Sequence, residues 1–288
     1  MIAPAPIVSV LMTVYNREEF IADAIESVLA SDFTDFELII VDDCSEDRSV
    51  RVAQSYAEKD DRLKVFVNTQ NNGDYPNRNK AASLATGTYL KYVDSDDMIY
   101  PWGLSVMVRC MEKFPDAGFG LSARAEYDRP HPIQFEPEAT YRENFLGREL
   151  FGRAPGSAII RRSAFEAVGG FSGVRDVGDM EFWLKIGARY PLVLLTPALV
   201  WDRIHPGQEK NVNSAGERAA LRVKVIIAAL SHPHCPLTQE ERVRALDIIR
   251  QRETKFALRT VLRQGRMFAA LRHIRTVISP LAAARTGS

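Results

Sequence analysis

"YLKYVDSDDMIYP", residues Tyr89 to Pro101, sets an alternating apolar run directly against Asp94, Ser95, Asp96 and Asp97. Asp and Ser between a strand and a helix ordinarily cap the helix, and an Asp-x-Asp taken alone is a weak signal. Its surroundings decide its meaning. On the N-terminal side, apolar runs that read as buried strands alternate with helical patterns. "APIVSVLMTV" precedes a helix from about Glu18 to Ala30, "FELIIVD" a helix over Arg48 to Glu58, and "LKVFVN" a helix over Asn77 to Ala85. "TYLKYVD" is the fourth strand, with a helix from about Pro101 to Phe114 after it. This rhythm predicts an α/β fold, an open and mostly parallel twisted sheet flanked by helices.

Ligands of such sheets bind outside the carboxyl ends of the strands, where loops converge and helix N-termini point at the crevice. Those ends carry Thr13, Tyr15 and Asn16, then Asp42 and Asp43, then residues 68–79, then Asp94 to Asp97. A cap explains one carboxylate per helix. Asp42, Asp43, Asp94, Asp96 and Asp97 on one rim would repel one another without a cation or hydrogen-bond donors. Hard oxygen ligands ask for Mg²⁺ or Mn²⁺, and an incompletely caged Mg²⁺ takes its other ligands from water and phosphates. The cluster therefore reads as a metal site bridging a diphosphate. "MTVYNREEF" after the first strand contains neither G-x-G-x-x-G nor G-x-x-x-x-G-K-[ST], which disfavours dinucleotide and P-loop readings. A metal on Asp96 and the side chain of Arg78 would supply the positive charge instead.

Composition sets the frame. The chain has 288 residues, 46% hydrophobic and 26% charged, ordinary for a globular protein. It lacks a run of about eighteen uncharged apolar residues and a basic n-region before the first strand, so a cytoplasmic location without spanning helix or signal peptide is expected. Cys44, Cys110 and Cys235 are too far apart for a metal-ligand motif. The zero net charge hides an asymmetry: residues 215–288 hold 14 Lys or Arg against 5 Asp or Glu, so the remainder is acidic by the same margin. The break predicts a catalytic domain over 1–214 and a basic helical extension over 215–288. Nothing points to nucleic acid.

The order of "PIVSVLMTVYNREEFIADAIESVLASDFTDFELIIVDDCSEDRS" and "NRNKAASLATGTYLKYVDSDD" resembles the inverting family 2 glycosyltransferases with a GT-A (Rossmann-like) fold, over roughly residues 7–205. The resemblance implies that Thr13 and Tyr15 meet a nucleotide base, Tyr15 by packing on it, and that Asp43 bonds the base edge with Asp42 in a supporting or ribose role. It further implies that Arg78 meets the diphosphate, Asp94 the ribose, and Asp96 a divalent metal, with Asn16 and Ser95 beside them and Asp97 capping the next helix. The donor would be a nucleotide-diphosphate sugar, a UDP-sugar by preference.

Inverting transfer needs a carboxylate to take the acceptor's proton. "VGDMEFWLKIGARYP" offers Asp179 and Glu181 at the start of a helix, with Asp179 preferred; the family's motif usually has Glu before the Asp, where Gly178 stands here. In the first helical turn a carboxylate is also simply stabilised by the helix dipole. In "APGSAIIRRSAFEAVGGF", Gly156 and Ser157 resemble the turn that lines the sugar or acceptor pocket, whereas Gly169 and Gly170 read as a helix end. His205 in "WDRIHPGQ" stands where many GT-A enzymes complete the metal shell, and Arg203 and Gln208 could close over phosphates.

The extension reads as three helices over 215–278, broken at "SHPHCPLTQEER", where Thr238 and Glu241 resemble a capping box. In its last part Leu258, Val261, Leu262, Phe268, Leu271, Ile274 and Ile278 recur near helical spacing, with Arg259, Arg263, Arg266 and Arg275 off that stripe. Packing on the catalytic domain or on a second subunit competes with peripheral contact to an anionic membrane carrying a lipid-linked acceptor. The acceptor class stays open between a saccharide, a lipid-linked glycan and a protein, a bacterial surface polysaccharide being expected by resemblance. A nucleotidyltransferase making sugar nucleotides lacks its glycine-rich loop here, and a non-catalytic nucleotide-sugar module is encouraged only by Gly178.

Overall fold

The computed structural model describes residues 5–124, 127, 130–206, 208, 215–264 and 267–286. Ser214, Arg266 and the side chains of Val261, Leu262 and Arg263 lie outside the described residues.

Seven residues of one strand, β2 (Phe36–Asp42), are all buried, the signature of a parallel strand covered on both faces. Beside it run β1 (Val8–Val14), β3 (Leu63–Val67) and β4 (Tyr89–Tyr92), parallel in the order β3-β2-β1-β4. The sheet continues through β8 (Ala158–Arg161), β6 (Phe119–Ser122), β9 (Leu192–Leu195) and β7 (Ile133–Phe135). Of these eight strands, β8 and β7 are antiparallel to their neighbours, so the sheet is mostly parallel. A separate ribbon pairs β5 (Met98–Ile99) with β10 (Val200–Trp201), antiparallel.

Side chains alternate between two cores, as a period of two demands. Val10, Met12, Leu38 and Ile40 face α1 (Ile21–Leu29), α2 (Ser49–Ala57) and α4 (Gly103–Glu112). Leu11, Ile39 and Val41 face α3 (Asp74–Ser83), α5 (Pro137–Leu146), α6 (Arg162–Ala167) and α7 (Gly178–Gly187). α1 shows why such segments are helical: its buried Ile21, Ala24, Ile25 and Val28 fall at i, i+3, i+4 and i+7. α3 starts at Asp74, ahead of the expected Asn77, because Gly73 at φ 88 turns the chain and Pro76 sits within the first turn, where no amide donor is needed. The ends read from sequence elsewhere lie close to those observed. Gly169 and Gly170, at φ 75 and 62, end α6 by donating their N–H groups to Glu166 and Phe165 carbonyls at 2.9 and 3.0 Å.

The C-terminal segment forms α8 (Ala215–Ser231), α9 (Gln239–Gln264), α10 (Met267–His273), a π turn over Ile274–Ile278 and α11 (Ser279–Thr286). The capping box is present: the Thr238 amide donates to Glu241 Oε2 at 2.9 Å and the Glu241 amide to Thr238 Oγ1 at 3.3 Å. Val223, Ile226 and Leu230 of α8 and Leu246 and Ile249 of α9 belong to the same apolar cluster as α5 and α7. The composition break at 214 is therefore no break in the core. Among the described residues no helix is long and apolar enough to cross a membrane.

Candidate functional site

The carboxyl ends of β1, β2 and β4 open into a cleft of about 970 Å³. Its lining includes Thr13, Tyr15, Asp43, Arg78, Asp94, Ser95, Asp96 and Asp179, so eight of the residues singled out from sequence meet in one place. Asp97 lines it too, and Tyr15 is 45% exposed there, its ring open for a planar ligand.

Arg78 is buried at the base. Its Nε donates to Asp74 Oδ1 at 2.8 Å and a terminal nitrogen to Asp94 Oδ1 at 2.7 Å. Two carboxylates hold the guanidinium in place, and Asp94 is committed to it in the free protein. Asp96 is placed by contacts from both sides: Arg17 Nε and His205 Nε2 approach the same oxygen, Oδ2, at 3.0 and 2.9 Å. Burial pushes this carboxyl up, but hydrogen bonds and charge from His205 and Arg17 outweigh it and hold it below the usual carboxylate range. His205 reaches Asp96 because of the ribbon. Pairing of Val200 with Ile99 and Trp201 with Met98 lays residues 202–205 back along the Asp94–Asp97 loop. Arg203 braces that loop from behind, its amide donating to Asp97 Oδ1 at 2.8 Å and its Nε to the Asp96 carbonyl at 3.0 Å. It is thus absent from the cleft lining, whereas Gln208 is part of it. Burial, and then the charge of Asp94, push the Asp97 carboxyl up to about 7.

Other expected residues stand behind the lining. Asp43 reaches the cleft, but its carboxylate accepts from Asn68 Nδ2 at 2.7 Å and from the Asn72 and Gly73 amides at 3.0 and 2.8 Å, shaping the loop before α3. Asp42 caps the following turn by accepting from the Ser45 amide at 2.8 Å. Asn16, at φ 51, ties the β1 loop to the β2 loop through the Ser45 hydroxyl and the Glu46 amide. Gly156 and Ser157 lie one layer back, and Ala154 and Pro155 of the same turn form the wall. A Cβ on Gly156 would come no nearer than 4.0 Å to Tyr92 O, so close approach does not demand glycine there. The Gly156 carbonyl accepts instead from Lys91 Nζ, which also bonds Tyr92 O at 2.6 Å; burial pulls this ammonium down to about 7.

α7 supplies the remaining wall. Asp179 sits in its first turn, its own amide donating to the Tyr75 hydroxyl at 3.0 Å and its Oδ1 accepting from the Met180 amide at 2.7 Å. Burial pushes this carboxyl up to about 6. Glu181 points elsewhere and accepts from the Ser172 hydroxyl at 2.6 Å, outside the cleft. The departure at Gly178 has a physical counterpart: a Cβ there would meet the Tyr75 ring at 2.6 Å, so the tyrosine fills the space a side chain would take.

Sequence reading missed Arg17, Tyr75, Arg175, Asp176, Asp202 and Arg218, all of which line the cleft. Arg17 had one usable signal, a base directly after a strand-end "VYN". Arg218 had none, since it reaches the site from α8. Eight aspartates and four arginines line the cleft among the described residues. No group of three or more His, Cys, Asp or Glu stands arranged to enclose an ion among those residues.

Residues 9–169, more than half of the chain, match Glycosyl transferase family 2. EpsE of Bacillus subtilis (strain 168), named as a glycosyltransferase, is 31% identical over 191 residues, 62% of this chain and 66% of its own length. WcaA of Escherichia coli (strain K12), named for colanic acid biosynthesis, is 32% identical over 159 residues, covering 51% of this chain and 56% of WcaA. The chain thus spans less than two thirds of these relatives. Among solved structures, S. aureus TarS 1-349 in complex with UDP-GlcNAc superposes with a TM-score of 0.68 at 21% identity, over 97% of this chain and 87% of that one. The mannosyltransferase PcManGT from Pyrobaculum calidifontis, in complex with GDP-Man and Mn2+, gives 0.59 at 16% identity, over 99% and 87%. The sheet order and these superpositions make the fold GT-A, and the chain belongs to glycosyl transferase family 2.

Proposed function

We propose that this protein transfers a sugar from a UDP-sugar to an acceptor hydroxyl in a single inverting displacement. The observation that carries the reading is one cleft lined both by Arg78, Asp94 and Asp96 at the strand ends and by Asp179 on α7. Tyr15 would pack on the base, with Thr13 and Asp43 at its edge. Asp94 would turn to the ribose as Arg78 turns to the diphosphate.

Asp179 would accept the acceptor hydroxyl's proton. As that oxygen bonds the anomeric carbon, the carbon's bond to the diphosphate oxygen breaks and its electron pair stays on the leaving diphosphate, opposite the attack. Arg17 and Arg78 would meet that growing charge. An acidic lining with four arginines is poorly matched to a diphosphate by itself, which argues for a divalent cation, Mn²⁺ or Mg²⁺. Asp96 and His205, a carboxylate and an imidazole brought together at this end of the cleft, are the residues that would hold it, and their oxygen and nitrogen donors suit such an ion. When bound, the ion supplies Lewis-acid stabilisation of the leaving diphosphate. The acceptor is read as a glycan of a bacterial surface polysaccharide, following the naming of WcaA, and the reaction as cytoplasmic.

Calorimetric titration of UDP, GDP and dTDP with and without Mn²⁺ tests the donor half. UDP is expected to bind in a metal-dependent manner and to lose about tenfold or more in affinity in Asp96→Ala. Failure of folded protein to bind any of the three would return the acidic strand end to a capping role.

A further inference from the structure

The last helices carry a face that the fold leaves uncovered. Ala270, His273, Val277 and Leu281 are buried at a spacing of three to four residues, turned toward α8 and α9. The other side of α10 and the π turn puts Met267, Phe268, Leu271 and Ile274 into solvent, at 55%, 88%, 53% and 43% exposure. Arg272 and Arg275 of the same segment are exposed as well. Four large apolar side chains in so short a segment exceed the scattered exposure ordinary on a surface.

Charge identifies what covers this face. After Glu253 the sequence contains seven Lys or Arg and no Asp or Glu to its last residue. A second copy meeting this face across a two-fold axis would place like charges against each other. An anionic lipid surface accepts both features: apolar side chains enter the acyl boundary while guanidiniums meet headgroup phosphates. We propose that the outer face of α10 and the following π turn is a docking surface for anionic phospholipid. The proposal stands apart from the transfer reaction, since none of these residues lines the cleft.

Co-sedimentation of the full chain with phosphatidylcholine vesicles, with and without about one-third phosphatidylglycerol, reads the interaction directly. Binding is expected to the anionic vesicles alone and to weaken as salt rises. Phe268→Ser with Leu271→Ser should lower partitioning about tenfold or more by removing the inserting groups. Arg272→Glu with Arg275→Glu should do at least as much, each basic side chain near such a surface being worth about fivefold. Circular dichroism checks that both pairs, which lie off the packed face, remain folded. Absence of binding by the folded parent chain would overturn the proposal, as would binding that both pairs leave unchanged. A concentration-dependent dimer, abolished by the serine pair in light scattering without vesicle binding, would assign the face to a second copy instead.

Discussion

Asp179 holds its proton more tightly than a solvated aspartate because burial disfavours its charge, and the hydrogen bond from the Met180 amide offsets this only in part. With a folded value of about 6, the carboxylate is the prevailing form at pH 7 to 8, as a general base requires. Transfer should therefore fall with the deprotonated fraction below about pH 6 and level off above it. Asp179→Asn should lower the rate by about 10²–10⁴-fold while nucleotide binding stays nearly unchanged. The stability sign runs the other way. Because the folded pKa exceeds the unfolded one, the contribution is present at low pH and is lost as pH rises through about 6, so the Asn variant should melt higher than the parent above that pH and converge with it in acid. Parallel activity profiles for parent and variant would remove Asp179 from the base role. Asp94, Asp96, Arg78 and Asp179 were legible in sequence because each follows a recognisable strand or opens a recognisable helix. Arg17 was not, since its aim at Asp96 depends on the left-handed turn at Asn16, on Ser45 of another loop and on Ser49 at the start of α2.

At the scale of elements, the position of α7 relative to α3 decides whether Asp179 faces the cleft, and Gly178 is the contact point. Gly178→Ala would improve helix propensity by at most about 1 kcal/mol. It would also drive a Cβ into the buried Tyr75 ring at 2.6 Å, and overpacking of this kind costs about 1–3 kcal/mol. The clash should win. A lower melting temperature and weaker transfer are expected, because the Tyr75 hydroxyl that receives the Asp179 amide must move. In the background of Tyr75→Ala the same substitution should become neutral or stabilising, and a double-mutant cycle without coupling would refute the contact. Elements with local signals were read well: β2 through the apolar run Leu38 to Val41, α6 through its paired glycines, α9 through Thr238 and Glu241. The ribbon of β5 and β10 was invisible, since two residues per strand carry no periodicity and their partners are about a hundred residues apart.

Taken whole, the molecule adds its own C-terminal segment as a further layer over α5 and α7. α8 and α9 bury Val223, Ile226, Leu230, Leu246 and Ile249 into the cluster that α5 and α7 share, and the ion pair of Arg142 with Glu241 joins α5 to the start of α9. Arg218 of α8 also reaches the cleft. Charge composition suggested a basic helical extension beyond 214 because it counts surface residues, which differ sharply across that position. Burial depends on the apolar residues, and those of α8 and α9 join the cluster of α5 and α7. Truncation after residue 214 should therefore expose the apolar side of α5 and α7 rather than release an intact catalytic domain. The side chains of α5 and α7 that these five residues cover would then meet water, and burial of that kind is the dominant favourable contribution to folding. The shortened protein is expected to be insoluble, or to bind hydrophobic dye without a cooperative melt. A soluble truncated chain that melts sharply and still binds nucleotide would show that 1–214 folds alone and that α8 and α9 are an appendage to it.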